Sequence, residues 1–216
     1  MFTPKNQLGN QYSRKYNLNF NYFKKWSPKM AYILGYVFAE GDINISKNRG
    51  HRGVLQIESK DKDILYFINK ELGKNIYPTY RKRIREGRKN SIQESFYITI
   101  CSKEIINDLA KLGVPTGKKS GEIKFPSLPK KYTKYFIKGY FDGDGSIFTL
   151  NQKRKYKNKI YSYFYKYLTF KSKSLKFLKE LNKNLNFLGK IYPDCNEAYL
   201  LRFCLGKAEE NSKRLI

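Results

Sequence analysis

The chain has 216 residues, with 44 Lys and Arg against 18 Asp and Glu and a formal net charge of +26. Such an excess attracts polyanions and gains from counterion release, which puts nucleic acid first among partners and an anionic membrane surface second. No run approaches the ~18 apolar residues of a membrane span, and Met1–Asn6 lacks the apolar stretch of a signal peptide, so no membrane partner and an intracellular, non-secreted protein are expected.

Hydrophobic residues make up 40% of the chain and aromatic residues 16%, enough for a core in one or two domains. AT-rich coding can account for part of the Lys count, but the electrostatic consequence stands. Cys101, Cys195 and Cys204 form no Cys-x-x-Cys pair, so neither a zinc site nor a disulfide framework is signalled. The single histidine, His51, lies in the glycine-bearing stretch Asn48–Gly53, where it can be a general base or a solvated, phosphate-facing side chain.

Residues 1–26 are polar, basic and dotted with Tyr and Phe, an ordered arm at best. Ser27 and Pro28 suit the N-cap and first position of a helix. Met30, Ile33, Leu34, Val37 and Phe38 then recur at helical spacing. Strands are expected at 43–47 and 54–59, a helix at 61–72, a second strand pair at 76–83 and 96–101, and a helix at 102–112. The stretch 113–130, with Pro115, Gly117, Gly121, Pro126 and Pro129, breaks periodicity and reads as a linker. The order then repeats: a helix before residue 145, strands at 146–151 and 160–170, a helix at 173–185, strands at 190–193 and 198–205, and a short final helix. The expected organisation is an arm (1–26), a first half (27–112), a linker (113–130) and a second half (131–216). The class is α+β, each half placing one antiparallel sheet with one face on helices and one face open.

One pattern occurs twice. Ile33-Leu34-Gly35-Tyr36-Val37-Phe38-Ala39-Glu40-Gly41 and Ile137-Lys138-Gly139-Tyr140-Phe141-Asp142-Gly143-Asp144-Gly145 share Gly-Tyr, a small residue four after the first Gly, an acid, then Gly. The offset is 144 − 40 = 104, about half the chain. Both copies read as helix C-termini, with Gly41 and Gly145 as left-handed stops. Gly35 and Ala39, like Gly139 and Gly143, share a face on which two helices can approach closely. Carboxylates at helix C-termini oppose the macrodipole and repel each other. A divalent cation removes both penalties, and magnesium takes one or two carboxylates with water and phosphate oxygens. That arrangement suits phosphodiester hydrolysis.

These nonapeptides, with the lead-in Tyr22–Tyr32, resemble the LAGLIDADG motif of homing endonucleases in its single-chain, two-motif form. The resemblance implies two pseudo-symmetric αββαββα halves packed through their motif helices, their sheets forming a saddle on DNA. It implies a monomeric, site-specific double-strand endonuclease of intron-encoded type, working in the cytoplasm, the nucleoid or an organelle matrix. It implies metal binding at Glu40, Gly41, Asp144 and Gly145, with magnesium or manganese supporting cleavage and calcium binding without it. It also implies a catalytic lysine at the end of the last strand of a half, which by position is Lys103 or Lys207; both equally suit helix-start surface lysines. The first copy departs from the motif, with Phe38 where an acid is usual and Glu40 for Asp. Asp142 has no counterpart in copy one. The family also contains splicing cofactors, so an RNA-binding maturase acting on a host intron is one alternative and a non-catalytic DNA-binding protein another.

The expected DNA contacts are basic and aromatic. Arg81, Arg83 and Arg85 mark one hairpin tip, Lys153, Arg154 and Lys155 the matching tip, and Arg49 and Arg52 the turn between the first strands. On the strand at 160–171, Tyr161, Tyr163, Tyr165 and Lys171 fall on the face opposite Phe164, Leu168 and Phe170.

Overall fold

The computed structural model describes residues 18–46, 52–74, 77–85, 91–117, 123–156 and 159–209. Among them, five helices and eight strands alternate: α1 (Pro28–Glu40), β1 (Gly41–Ser46), β2 (Arg52–Ser59), α2 (Lys62–Glu71), β3 (Thr79–Arg85), β4 (Ser91–Cys101), α3 (Lys103–Lys111), α4 (Thr133–Asp144), β5 (Gly145–Tyr156), β6 (Lys159–Ser172), α5 (Leu175–Asn184), β7 (Lys190–Pro193) and β8 (Tyr199–Glu209). The strands form two antiparallel four-stranded sheets, ordered β1-β2-β4-β3 and β5-β6-β8-β7, and the class is α+β. No helix among the described residues is long and apolar enough to cross a membrane.

The chain divides into two compact units. One comprises Glu40–Leu109 with the segment up to Trp26, the other Ser27–Ala39 with the chain from Ala110 onward. In the first unit, period-two alternation sends Ile43, Leu55, Ile57, Ile98 and Ile100 to a core that also takes Leu65, Ile68, Ile105 and Leu109 from α2 and α3. The helices start where side chains satisfy their first N–H groups. Asp61 accepts from the Asp63 and Ile64 amides, and Ser102 Oγ accepts from the Ile105 amide at 3.2 Å. A 3-10 turn at Tyr22–Lys24 tucks in Phe23.

The second unit holds both motif helices. Ser27 Oγ caps α1 by accepting from the Met30 amide at 3.1 Å. A Cβ on Gly35 would collide with the Phe136 carbonyl and lie 2.8 Å from the Tyr140 nitrogen. A Cβ on Gly139 would collide with the Tyr32 carbonyl and lie 3.0 Å from the Tyr36 nitrogen. The contacts are reciprocal under the 104-residue offset (32 with 136, 36 with 140), so the helices cross with backbones touching. Only glycine fits there. Around them Phe38, Phe136, Tyr140 and Phe177 form an aromatic core, with Phe38 5.2 Å from Phe136 and Tyr140 4.6 Å from Phe177 between ring centres.

Several boundaries differ from the expected ones. Strands β4, β5 and β8 run longer, and β8 continues through Glu209 where a final helix was expected to begin; residues 210–216 lie outside the described part. The hairpin β5–β6 pairs without interruption from Gly145 with Phe170 to Tyr156 with Lys159. Cross-strand hydrogen bonds carry these arms beyond the core, so their polar tips need no apolar alternation.

Candidate carboxylate sites and nucleic-acid interface

Neither motif ends in a left-handed glycine. Gly145 is extended, with φ −83° and ψ 157°, and the described glycines with positive φ are Gly73, Gly113 and Gly117. The expectation of a helix-stop conformation at Gly41 and Gly145 is therefore corrected. Each helix passes directly into a strand, and that continuation demands an extended residue. Glycine at 145 is required for room, because a Cβ would collide with the Phe141 ring.

This junction places each acid by register. Gly41 pairs with Ile57, so Glu58 is the next residue across from Glu40. Gly145 pairs with Phe170, so Lys171 is the next across from Asp144. The two units thus put opposite charges beside their acids. Asp144 is exposed and Glu40 half-buried. Lys171 Nζ pairs with Asp194 Oδ2 at 2.7 Å and lies 4.0 Å from Cys195 Sγ. Its pKa is raised, first by the hydrogen bond to Asp194, against a smaller opposing desolvation, and then by the charges of Asp194, Cys195 and Asp144. Asp142, two residues before the acid, instead ties helices together: its Oδ2 accepts from Tyr32 Oη of α1 and from Lys138 Nζ of its own helix, both at 2.8 Å.

The open face of the first sheet carries polar side chains. Glu58 Oε2 accepts from Arg81 at 2.8 Å and from Arg83 at 3.0 Å, while Oε1 accepts from Ser95 Oγ at 2.7 Å. The Arg81 guanidinium lies 3.9 Å from the centre of the Tyr97 ring. Burial pushes the Glu58 carboxyl up, but the Ser95 hydroxyl and the Arg83 and Arg81 guanidiniums outweigh it and hold the pKa below the ordinary value.

The open face of the second sheet is aromatic. Tyr161, Tyr163, Tyr165 and Tyr167 stand in a row with ring centres 6.5, 6.5 and 6.1 Å apart. Beside them the Arg202 guanidinium sits among Phe148, Tyr167 and Tyr192 at 5.5, 5.4 and 5.2 Å, with its Nε buried and without a hydrogen-bond partner among the described residues.

The expected site residues thus sort by position. Arg81 and Arg83 lie within β3 rather than at a hairpin tip, and both are engaged by Glu58. Lys153, Arg154 and Lys155 are exposed on the outer arm of β5, and Arg154 lies 5.9 Å from the Tyr163 ring. Lys103 is the exposed first residue of α3. Arg52 and Arg85 lie at strand ends and Lys207 within β8, with their side chains outside the described part, as are Arg49 and His51 entirely. Glu58, Arg202, Phe148 and Tyr192 were not anticipated. The alternation of β8 could have exposed Arg202, set between buried Leu201 and Phe203. Among the described residues no group of three or more His, Cys, Asp or Glu could hold a metal by itself.

Two family models match the sequence: a LAGLIDADG-like domain over residues 27–112 and a LAGLIDADG endonuclease over residues 137–216. The chain belongs to the LAGLIDADG family of homing endonucleases. Among solved structures, the homing endonuclease I-WcaI bound to its DNA recognition sequence is similar, at 15% identity and TM-score 0.58 over 94% of this chain and 84% of that one. The meganuclease I-AabMI bound to uncleaved DNA matches at 14% identity and TM-score 0.50, over 82% and 79%. I-SmaMI bound to an uncleaved DNA target with calcium matches at 12% identity and TM-score 0.50, over 83% and 80%. No curated protein sequence matches the chain.

Proposed function

We propose that the protein is a monomeric, site-specific endonuclease that cuts both strands of duplex DNA. The observation that carries this reading is the pair of motif helices, locked backbone to backbone at Gly35 and Gly139, each running straight from its acid into a sheet. Each acid is the last residue of its motif helix, Glu40 of α1 and Asp144 of α4. Duplex DNA as partner is supported by the net charge of +26 and by the DNA-bound relatives I-WcaI and I-AabMI.

Glu40 and Asp144 would hold the divalent ion. Two carboxylates without further protein ligands suit magnesium, which takes its remaining ligands from water and phosphate. A bound ion supplies a nucleophile at neutral pH and stabilises the leaving oxygen. Glu40 and Asp144 fix that charge at helix ends where the macrodipole alone would reject it. Lys171, rather than Lys103 or Lys207, supplies the cation beside Asp144 and stabilises charge developing on that strand's phosphate. The sheets position the duplex through Arg154, Lys153 and Lys155 and through the side chains of their open faces.

The test is purified protein with duplex DNA carrying the flanks of its own coding element, with and without magnesium. Magnesium-dependent double-strand cleavage by a monomer is the expected result. Tight intron RNA binding without cleavage would instead select the maturase, a reading favoured by the tyrosine row, since aromatic rings on a sheet suit unpaired bases. Sequence-specific duplex binding without cutting would select a non-catalytic protein.

A further inference from the structure

We propose that Glu58 is a positioning residue for sequence readout: it holds Arg81 and Arg83 as a fixed pair of guanidinium forks on the open face of the first sheet. This rests on the duplex-DNA reading above.

An acid on the face turned to a polyanion costs affinity, because it repels phosphate and cancels part of the attraction of nearby arginines. Glu58 is not a solvated rim charge. Its side chain is 22% exposed, and both carboxylate oxygens are engaged, Oε2 by the two arginines and Oε1 by Ser95. Ser95 is itself buried, so the carboxylate is anchored from beneath.

The arginines are held in different ways. Arg81 is clamped on its edge by Glu58 and on its face by Tyr97 at 3.9 Å, and it is 24% exposed. Arg83 is held through one nitrogen at 3.0 Å and stays 47% exposed. A guanidinium carries five N–H donors in a rigid fork, so one bond to Glu58 leaves donors for a base edge. Arginine pairs bidentately with the O6 and N7 acceptors of guanine in the major groove. A free arginine on a flexible stem takes the nearest phosphate and carries no sequence information. Fixing it in advance removes that alternative and the ordering cost of the specific contact. Glu58 thus trades affinity for discrimination, and guanine is the expected preference at the contacted positions.

The experiment is selection of a randomised duplex library by the full-length wild-type protein and by Glu58→Gln, Glu58→Asp, Arg83→Ala and Arg81→Ala, with salt titrations on one selected and one unselected duplex. Glu58→Gln keeps the shape and loses the charge; Glu58→Asp keeps the charge and shortens the reach. In both, guanine preference should fall by about five-fold or more at the positions that Arg83→Ala or Arg81→Ala also relaxes. Binding of the unselected duplex by Glu58→Gln should tighten, with the log–log salt slope steeper by about 0.9 for each arginine that moves to a phosphate. Loss of melting temperature with unchanged base preference and unchanged slope would reduce Glu58 to a structural residue and overturn the proposal. Uniform tightening by Glu58→Gln, with Glu58→Asp like wild type, would overturn it as well, leaving simple charge repulsion. If the wild type itself enriches no motif, the duplex-DNA reading fails instead, and the inference falls with it.

Discussion

At the scale of single residues, the three acids around the motifs predict three different phenotypes. Asp144→Asn keeps the shape of the side chain and removes its charge, so duplex binding should survive while cleavage falls by roughly a hundred-fold or more, read by binding and single-turnover assays on one substrate. Glu40→Gln should do the same. Near-normal cutting of both strands by Glu40→Gln would sink the paired-carboxylate mechanism. Asp142→Asn should behave in the opposite way. It loses the charge that Tyr32 and Lys138 both address, so stability should drop by about 1 kcal/mol in urea denaturation with the cleavage rate unchanged. Lys171 is beside one acid only, with Glu58 at the equivalent register position of the other unit. Lys171→Met should therefore slow one strand by roughly ten-fold or more, and nicked duplex should accumulate on a gel; equal slowing of both strands would exclude the one-sided role. Glu58 also titrates in a defined window. Its folded pKa lies below the ordinary 4.5, so its stabilising contribution is complete above that value and is lost as pH falls through the depressed one. Glu58→Gln should flatten the acid limb of the stability curve there.

At the scale of elements, the helix pair is the feature most exposed to a single methyl group. Gly139→Ala drives a Cβ into the Tyr32 carbonyl, which belongs to backbone and cannot rotate away. The helices must part, and destabilisation of about 3 kcal/mol is expected, read as a fall in the urea midpoint at constant slope. Gly206→Ala meets nothing within 4 Å and should change stability by less than about 0.5 kcal/mol. This close approach was legible in the sequence, because two small residues four apart on the same face of two repeated helices have few other uses. Caps were legible as well: Ser27 and Asp61 sit where their side chains accept from the first turns. The outer arms of the hairpins were not. Gln152–Tyr156 carries no apolar alternation, and its strand conformation comes from pairing with Lys159–Tyr163 across the hairpin rather than from burial. The glycine stops were misread for a related reason: the turn rule assumes that the chain must change direction after a helix, and here it continues.

At the scale of the whole molecule, charge gives the broadest test. With +26 net charges, the logarithm of DNA affinity should fall by about 0.9 per contacted phosphate for each unit rise in log salt. A nearly flat titration would remove nucleic acid as the main partner. Of the candidate site, the two acids and the basic strand arms could be read from residue type and spacing. The Glu58 cluster could not, because it depends on the register that puts Arg81 and Arg83 of β3 opposite Ser95 and Gln93. The alternation of β8 marks Arg202, but not its aromatic neighbours, which arrive from three different strands.

The missing turn at each motif ties chemistry to parity. In β5 the open-face positions are even, with Phe148, Gln152 and Arg154 among them, and Asp144 is even too; in β1, Asp42 and Asn44 share the parity of Glu40. With no residue between helix and strand, acid and reading face keep one phase and cannot be adjusted separately. A single alanine inserted between Asp144 and Gly145 would shift β5 by one position against the helix. Strand pairing could then be kept only by rotating the carboxylate out of place, and the carboxylate kept only by turning Phe148 and Arg154 to the opposite face. Such an insertion should abolish cutting outright, whereas inserting two residues restores the parity. Recovery of cutting by the two-residue insertion alone would display this phase lock directly.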